Sequence, residues 1–480
     1  MASEYVDKVG KWSPYPKFEK ETLFGGSEGG TGSVIKAHHT KLISLGTRFH
    51  SPVATENQGA LVTRSQQARI LLSTSLAAFI IIGFTQSFGV FQVHYESNNA
   101  VQAGVLRHSE TSSRGLISSI GSFSNGGIVA LFAVVYYPHL PRIGAHIRSL
   151  CCIGSALIVL GLAMAGLCRN LVQLFVCQGL IQGVGAGILL YLLTPILPEY
   201  FPERSGLAQG TMFAAAALGG MTFSFANTAL LEHLGVRKTL FVLAGISAGT
   251  LSVASALALP PRKFEKRDTK IVHWKVFKDP LFSSLFLVNL IHPLTLAIPM
   301  AFGPDFAKSL GIDVTKASYL LAINSGVGIP SRLGAGALAD KIGHQNTLLI
   351  ATAVYVLATW GLWLPSALKG NVGLYIAMSV CHGLVNGVFN TVMNSAQKAL
   401  FGEETYYPKN GAMTTIRGLG YMVGIPIAGV MVRDVAVEQL GGVDFMPPIV
   451  YVGMLLTFSL ACLLNVRRLD AIESGWHLVR

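Results

Sequence analysis

The chain is 480 residues long, with 51% of them apolar and only 12% charged, and its mean hydropathy is +0.52. Soluble proteins carry about 25% charged residues, so this composition excludes a string of soluble domains, which would lack the polar surface to stay dissolved. Basic residues outnumber acidic ones by 36 to 24, and whether that excess speaks for nucleic acid or for a membrane depends on where along the chain it falls.

Residues 1–69 hold nine Lys or Arg and six Asp or Glu among scattered Gly, Ser and Pro. No apolar run there is long enough for the core of a signal peptide, and the stretch reads as a disordered N-terminal tail that stays in the cytoplasm. From Ile70 the texture changes to apolar stretches of about 17 to 25 residues, each able to cross ~30 Å of hydrocarbon at 1.5 Å per residue. Six are expected at 70–93, 114–136, 147–167, 171–194, 206–231 and 237–259, and six more at 281–301, 317–338, 346–364, 371–394, 411–433 and 448–466. The expected fold is therefore an all-α membrane protein of twelve transmembrane helices. Its bundles are 70–259 and 281–466, joined by a polar linker, 260–280, and followed by a C-terminal cytoplasmic tail, 467–480.

The linker carries seven Lys or Arg against three acids, as a cytoplasmic connection should. An even number of crossings puts both termini on one side. With the tail inside, cytoplasmic segments hold 25 basic residues and external segments nine, while Arg332 and Arg417 lie within helices, which accounts for all 36. This bias sets the orientation. Basic loops beside an anionic inner leaflet also explain the net charge without nucleic acid.

The halves echo each other. Cys177-Gln-Gly-Leu-Ile-Gln-Gly-Val184 in the fourth helix returns as Cys381-His-Gly-Leu-Val-Asn-Gly-Val388 in the tenth, identical at five of eight positions with an offset of 204. Arg142-Ile-Gly144 returns as Lys341-Ile-Gly343 at an offset of 199. Two echoes at nearly one offset indicate a duplicated six-helix unit, an architecture common among secondary transporters.

The turn after the eighth helix reads Gly336-Ala-Leu-Ala-Asp340-Lys341-Ile-Gly343-His344. Gly336 lets a neighbouring helix approach, Asp340 can accept from amide groups at a nearby helix start, and Gly343 allows a tight reversal. Here the chain resembles the major facilitator superfamily, whose signature between helices two and three and between eight and nine is Gly-x-x-x-Asp-Arg/Lys-x-Gly. The resemblance implies a cytoplasmic gate formed by Arg142, Gly144, Gly336, Asp340, Lys341 and Gly343. The first copy is eroded, with Pro141 where the acid belongs, and this puts gating by the first half in question.

Further segments narrow the resemblance to the fungal branch of the monocarboxylate porter family. They are Phe88-Gly-Val-Phe-Gln-Val-His-Tyr95, Gln178 to Gly187, Glu199-Tyr-Phe-Pro-Glu-Arg204 leading to Gly210, Leu218-Gly-Gly220, and Gly424-Ile-Pro-Ile-Ala-Gly429. The resemblance covers about residues 70 to 466. Animal members use a helix-one lysine, here Gln86, and a helix-eight aspartate four residues before an arginine. The arginine matches Arg332, but the aspartate position is Gly328. Lactate is therefore not carried over as the substrate.

An arginine inside the membrane costs on the order of 2.5 to 3.5 kcal/mol, a cost usually met only where it faces a cavity or a partner. Arg332 and Arg417 are thus expected in the inner half of the membrane, contacting solute or holding the gate, with Arg417 the nearer to the surface. The other intramembrane polar residues are mostly amides: Gln86, Asn125, Gln178, Gln182, Asn227, Asn289, Asn324, Asn386, Asn390 and Asn394. The plainer role of any one amide is an interhelical hydrogen bond, ~0.6 kcal/mol on average. Asn386, Asn390 and Asn394, however, share one helix face, and a row of three points to a cavity wall. Substrate contacts are expected at Gln86, Gln182, Asn324, Arg332, Asn386, Asn390 and Arg417.

His292 and His382 are the candidates for proton coupling, since they titrate near neutral pH and no Asp or Glu falls mid-membrane. A lone membrane histidine is as readily a packing residue, so coupling stays open. Gly179, Gly183 and Gly187 form a helix-packing stripe. Gly245-Ile-Ser247-Ala-Gly249 lies inside a helix and lacks the strand-to-helix turn of a nucleophile elbow. The six cysteines show no metal or disulfide spacing, and Trp360 and Trp363 read as interfacial anchors. No metal, cofactor or enzymatic activity is expected.

The function expected is a secondary transporter of a small organic solute, working by alternating access in a plasma membrane and functional as a monomer. Export of a metabolite is favoured over uptake of an organic acid or vitamin-like anion. A transporter-like sensor is a more distant alternative, as is a membrane enzyme.

Overall fold

The computed structural model describes residues 62–125, 127–201, 204–262, 273–434 and 443–475. Helix α1, Arg64–Tyr95, begins before the apolar run does: the Thr63 side chain accepts from the Gln66 amide, and the Gln66 side chain from that of Thr63. This capping box satisfies two helix-end donors, so the last residues assigned to the tail are helical. Helix α2 is broken into Arg114–Ser124, Gly127–Leu131 and Ala133–Tyr136. Helix α3, Ile147–Ala165, and α4, Leu171–Tyr200, follow.

No loop separates the fifth and sixth helices. Ser205–Leu257 is interrupted only at Gly235 (φ 71°, ψ 167°), giving α5 (205–234) and α6 (236–257). Helix α7 is Pro280–Ala301 with an extension, Gly303–Ser309; α8 is Val314–Ile342 and α9 His344–Lys369. Val372–Asn386 and Val388–Met431 form α10 (372–401) and α11 (403–431), which meet at Gly402 (φ 69°, ψ 165°). Helix α12, Met446–Ser474, takes in half of the expected C-terminal tail. A two-residue antiparallel pair, Arg433–Asp434 with Val443–Asp444, precedes it.

The expected polar turn at 395–410 is thus helix. Its charged residues look like a loop in sequence, but they lie on helix ends, where charge needs no break in the backbone ladder. Eight described helices are long and apolar enough to cross a bilayer, Ser205–Leu257 among them as one. Helices α2, α8 and α11 are outside that set; the first is broken, and the other two are diluted by the residues they turn inward. Most of the expected linker lies outside the described residues, but Pro260, Pro261 and Arg262 are described and sit against the first six helices.

Internal symmetry is visible in the packing. A Cβ on Gly179 would lie 3.7 Å from Ile120 Cα, and one on Gly383 would lie 3.2 Å from Asn324 Cα. Both residues of the second pair stand 204 positions after those of the first, so α4 meets α2 as α10 meets α8. Close approach between the halves also depends on missing side chains. Gly89 of α1 faces the carbonyls of Met300 and Ala301 on α7, Gly127 of α2 faces Met422 and Gly418 on α11, and Gly206 of α5 faces Gly336 on α8. Trp363 departs from expectation. At 2% exposure it is core, packed edge-on to Phe306, while Trp360 donates to Thr457 Oγ1 (3.1 Å).

Candidate functional site

Where α1, α2, α4 and α5 meet α7, α8, α10 and α11, the halves together line one cavity. Its wall is apolar at Ile82, Phe213 and Leu296, and polar along α10 and α11 and at Gln86 and Asn125. Asn386, Asn390 and Asn394 all lie on it, as their four-residue spacing on one helix requires. Asn390 accepts from the Tyr421 hydroxyl (2.8 Å) and Asn386 donates to Met300 Sδ (3.0 Å).

Both membrane arginines reach this wall. Arg417 is 5% exposed and donates from Nε (3.0 Å) and Nη2 (2.6 Å) to Asn289 Oδ1, and from Nη1 to Asn394 Oδ1 (3.2 Å). It lies deeper than the sequence suggests, because α11 starts at 403 instead of 411; fourteen residues of helix carry it about 21 Å inward. Arg332 is 3% exposed, and its Nε and Nη1 are buried with no hydrogen-bond partner among the described residues. Its side chain lies across Gly328 and Gly387, which leave it room.

The other expected site residues divide. Gln86 is on the cavity wall and accepts from Ser325 Oγ across the halves (3.4 Å), and Asn125 is on the wall as well. Gln182 instead packs against Gly161 of α3. Asn324 donates to the Ser379 carbonyl (2.7 Å) and pairs with His382 Nδ1 (2.9 Å), tying α8 to α10 away from the wall. His382 Nε2 lies 3.3 Å from the Leu296 carbonyl. His292 stacks on Phe389 at 4.1 Å and borders a separate small void. Neither histidine lines the cavity, since both pack among neighbouring helices.

At the linker end, the intact second motif does what its residue types allow. Asp340 Oδ2 accepts from the Leu207 amide (3.2 Å) at the start of α5, where a carboxylate is favoured by the helix dipole. Gly343 turns the chain at φ 95°, Lys341 is exposed, and His344 Nε2 lies 3.8 Å from Asp340. In the eroded first copy, Gly144 packs on Pro261, while the Arg142 side chain lies outside the described residues. The contact between halves is made there by residues the sequence reading missed. Buried Glu199, at the end of α4, accepts from the Tyr407 hydroxyl of α11 and from the Arg262 amide (2.7 Å). Tyr137 sits edge-on to Tyr407, with centroids 6.4 Å apart. The only signal in sequence was Glu199 itself, an acid closing an apolar helix.

At the far end, Glu96 follows α1 and faces both halves. It accepts from Gln92 (3.2 Å) and lies 3.5 Å from Arg114 Nε. Burial first, and then the nearby charge of Asp305 on the α7 extension, push its carboxyl up to about 7 against the opposing pull of Arg114 and Lys308.

Comparison with known proteins agrees with this geometry. A family model described as Major Facilitator Superfamily matches residues 70–428. The agnestins efflux protein of Paecilomyces divaricatus is 26% identical over 360 residues, 75% of this chain and 79% of that one. The fujikurins efflux protein of Gibberella fujikuroi is 25% identical over 377 residues, covering 78% and 75%. The aspyridones efflux protein of Emericella nidulans is 23% identical, covering 80% and 76%. Among solved structures, the nucleoside transporter NupG superposes with a TM-score of 0.57 at 14% identity, covering 84% of this chain and 98% of its own, a likeness of fold.

Proposed function

This chain belongs to the Major Facilitator Superfamily, and from that premise we propose that it exports a small organic metabolite by alternating access. The carrying observation is the cavity between the halves, with an amide row and two arginines on its wall. Such a site is exposed to one side or the other when the halves rock against each other. Relatives named as efflux proteins support the direction. We assign twelve crossings, both termini and the 260–280 linker to the cytoplasm, and the protein to the plasma membrane as a functional monomer. The basic bias of those segments supports the orientation. Among the finer family readings, the monocarboxylate porter branch fits Arg332, while Gln86 and Gly328 separate this chain from lactate carriers.

Comparing metabolites inside cells and in the medium, between a deletion strain and an overexpressing one, tests the direction. Export requires a compound that accumulates inside the deletion strain and in the medium of the overexpressor. A compound left behind in the medium of the deletion strain instead establishes uptake of an organic acid.

A further inference from the structure

Among the described residues lining the cavity, the charged ones are Arg332 and Arg417, and none is an acid. Two guanidinium charges there have no carboxylate between them. Charge buried without a counter-ion is costly inside a protein and more so inside a membrane, so the pair is built to receive negative charge. Each arginine has capacity to spare. Arg332 has Nε and Nη1 unpartnered. Arg417 uses three of its five N–H groups on Asn289 and Asn394, and those amides fix its plane as a bidentate carboxylate site requires.

The two sites are also spaced. Arg332 lies against Gly387 and Arg417 bonds Asn394, both on α10. Seven residues of helix separate these contacts by roughly 10 Å. Between them the wall offers Asn390, and Tyr191, Phe213 and Leu296 line the same cavity. That stretch suits a flat apolar body carrying one or two hydrogen-bonding groups.

Building on the transporter reading above, we infer that the cavity holds its solute at two points, and that the solute class is an elongated organic dianion with an acidic group at each end. One end pairs with Arg332 and the other with Arg417, and the solute's two charges cancel the two on the wall. A monoanion leaves one guanidinium uncompensated and binds more weakly. A neutral solute compensates neither.

The test uses the purified full-length protein in lipid nanodiscs. It is titrated calorimetrically with a biphenyl bearing a carboxylate at each end, and with the same biphenyl bearing only one. The diacid is expected to bind tighter by about tenfold or more. Arg332→Gln and Arg417→Gln should each bring the diacid down to the monoacid's affinity while leaving the monoacid, held by the remaining arginine, nearly unchanged. A purely structural role for Arg417 would weaken both probes together. Equal wild-type affinities, a parallel loss of both probes in Arg417→Gln, or binding of neither probe would each overturn the two-point site. None of these results touches the secretion experiment above, which reads transport independently.

Discussion

Arg417 is tied to Asn289 and Asn394, whereas Arg332 rests on glycine with two N–H groups unpartnered. Replacing the first by leucine removes the charged donors to the buried side-chain oxygens of Asn289 and Asn394, and should lower stability by about 2 kcal/mol or more. Replacing the second removes a buried charge that nothing compensates, and such changes are often neutral or stabilising. The expected outcome is that Arg417→Leu melts lower than wild type in detergent, while Arg332→Leu melts at the same temperature or higher, and that both lose transport. Equal destabilisation by the two would contradict the difference in how they are held. Glu96 gives a pH dependence with a definite sign. A carboxyl that holds its proton more tightly when folded adds stability that is complete below the ordinary value of about 4.3, and that is lost as pH rises through about 7. Melting temperature should therefore fall across that window and level off above it, and Glu96→Gln should flatten the step. At this scale the amide row was legible, since a helical period alone puts Asn386, Asn390 and Asn394 on one face. The isolation of Arg332 was not, because it depends on which residues of α10 and α8 happen to be glycine.

Among the elements, α10 and α11 diverge most from their sequence reading. Lys398, Glu404 and Lys409 suggest a loop, and a reader of sequence places the turn around them, yet helix continues to Gly402 and resumes beyond it. The shift sets Arg417, already expected in the inner half of the membrane, deeper along the helix on the cavity wall and brings Tyr407 under Glu199. Helix cores were legible because an apolar run of membrane length has few alternatives. Helix ends were not, because polar residues at a bilayer surface are equally at home in helix or loop. The closure at Glu199 and Tyr407 spans 208 residues of sequence, and no local pattern announces it. Without an acid in the first gate motif, this hydrogen bond and the Tyr137 contact add to the glycine-lined packing of α2 on α11 at that end. Tyr407→Phe or Glu199→Gln should loosen that end. A reporter cysteine placed by Thr414→Cys, on the cavity wall, is then expected to react several times faster with a membrane-impermeant thiol reagent applied from the linker side. An unchanged rate would show that the closure rests on other contacts.

For the whole molecule, the two sets of six helices meet through glycine-lined contacts of α1 with α7, α2 with α11 and α5 with α8. These contacts do not pass through the linker. Co-expressed fragments 1–262 and 273–480 should accordingly co-purify as one complex, and recovery of either fragment alone would mean that covalent connection is needed for pairing. The duplication was legible from two short echoes because both copies use the same close helix approach, whereas the cavity between the halves emerges only from the assembled helices. Three of the helix pairs described above, α5 with α6, α8 with α9, and α10 with α11, are joined by one glycine each, Gly235, Gly343 and Gly402. Gly235 and Gly402 share nearly the same torsions, in a region of backbone space that only glycine occupies comfortably. Joints this short have no play. A displacement of α11 at the mouth arrives in α10 as a displacement of the cavity wall, so the pair works as a lever that ties the opening of a passage to the grip on its cargo.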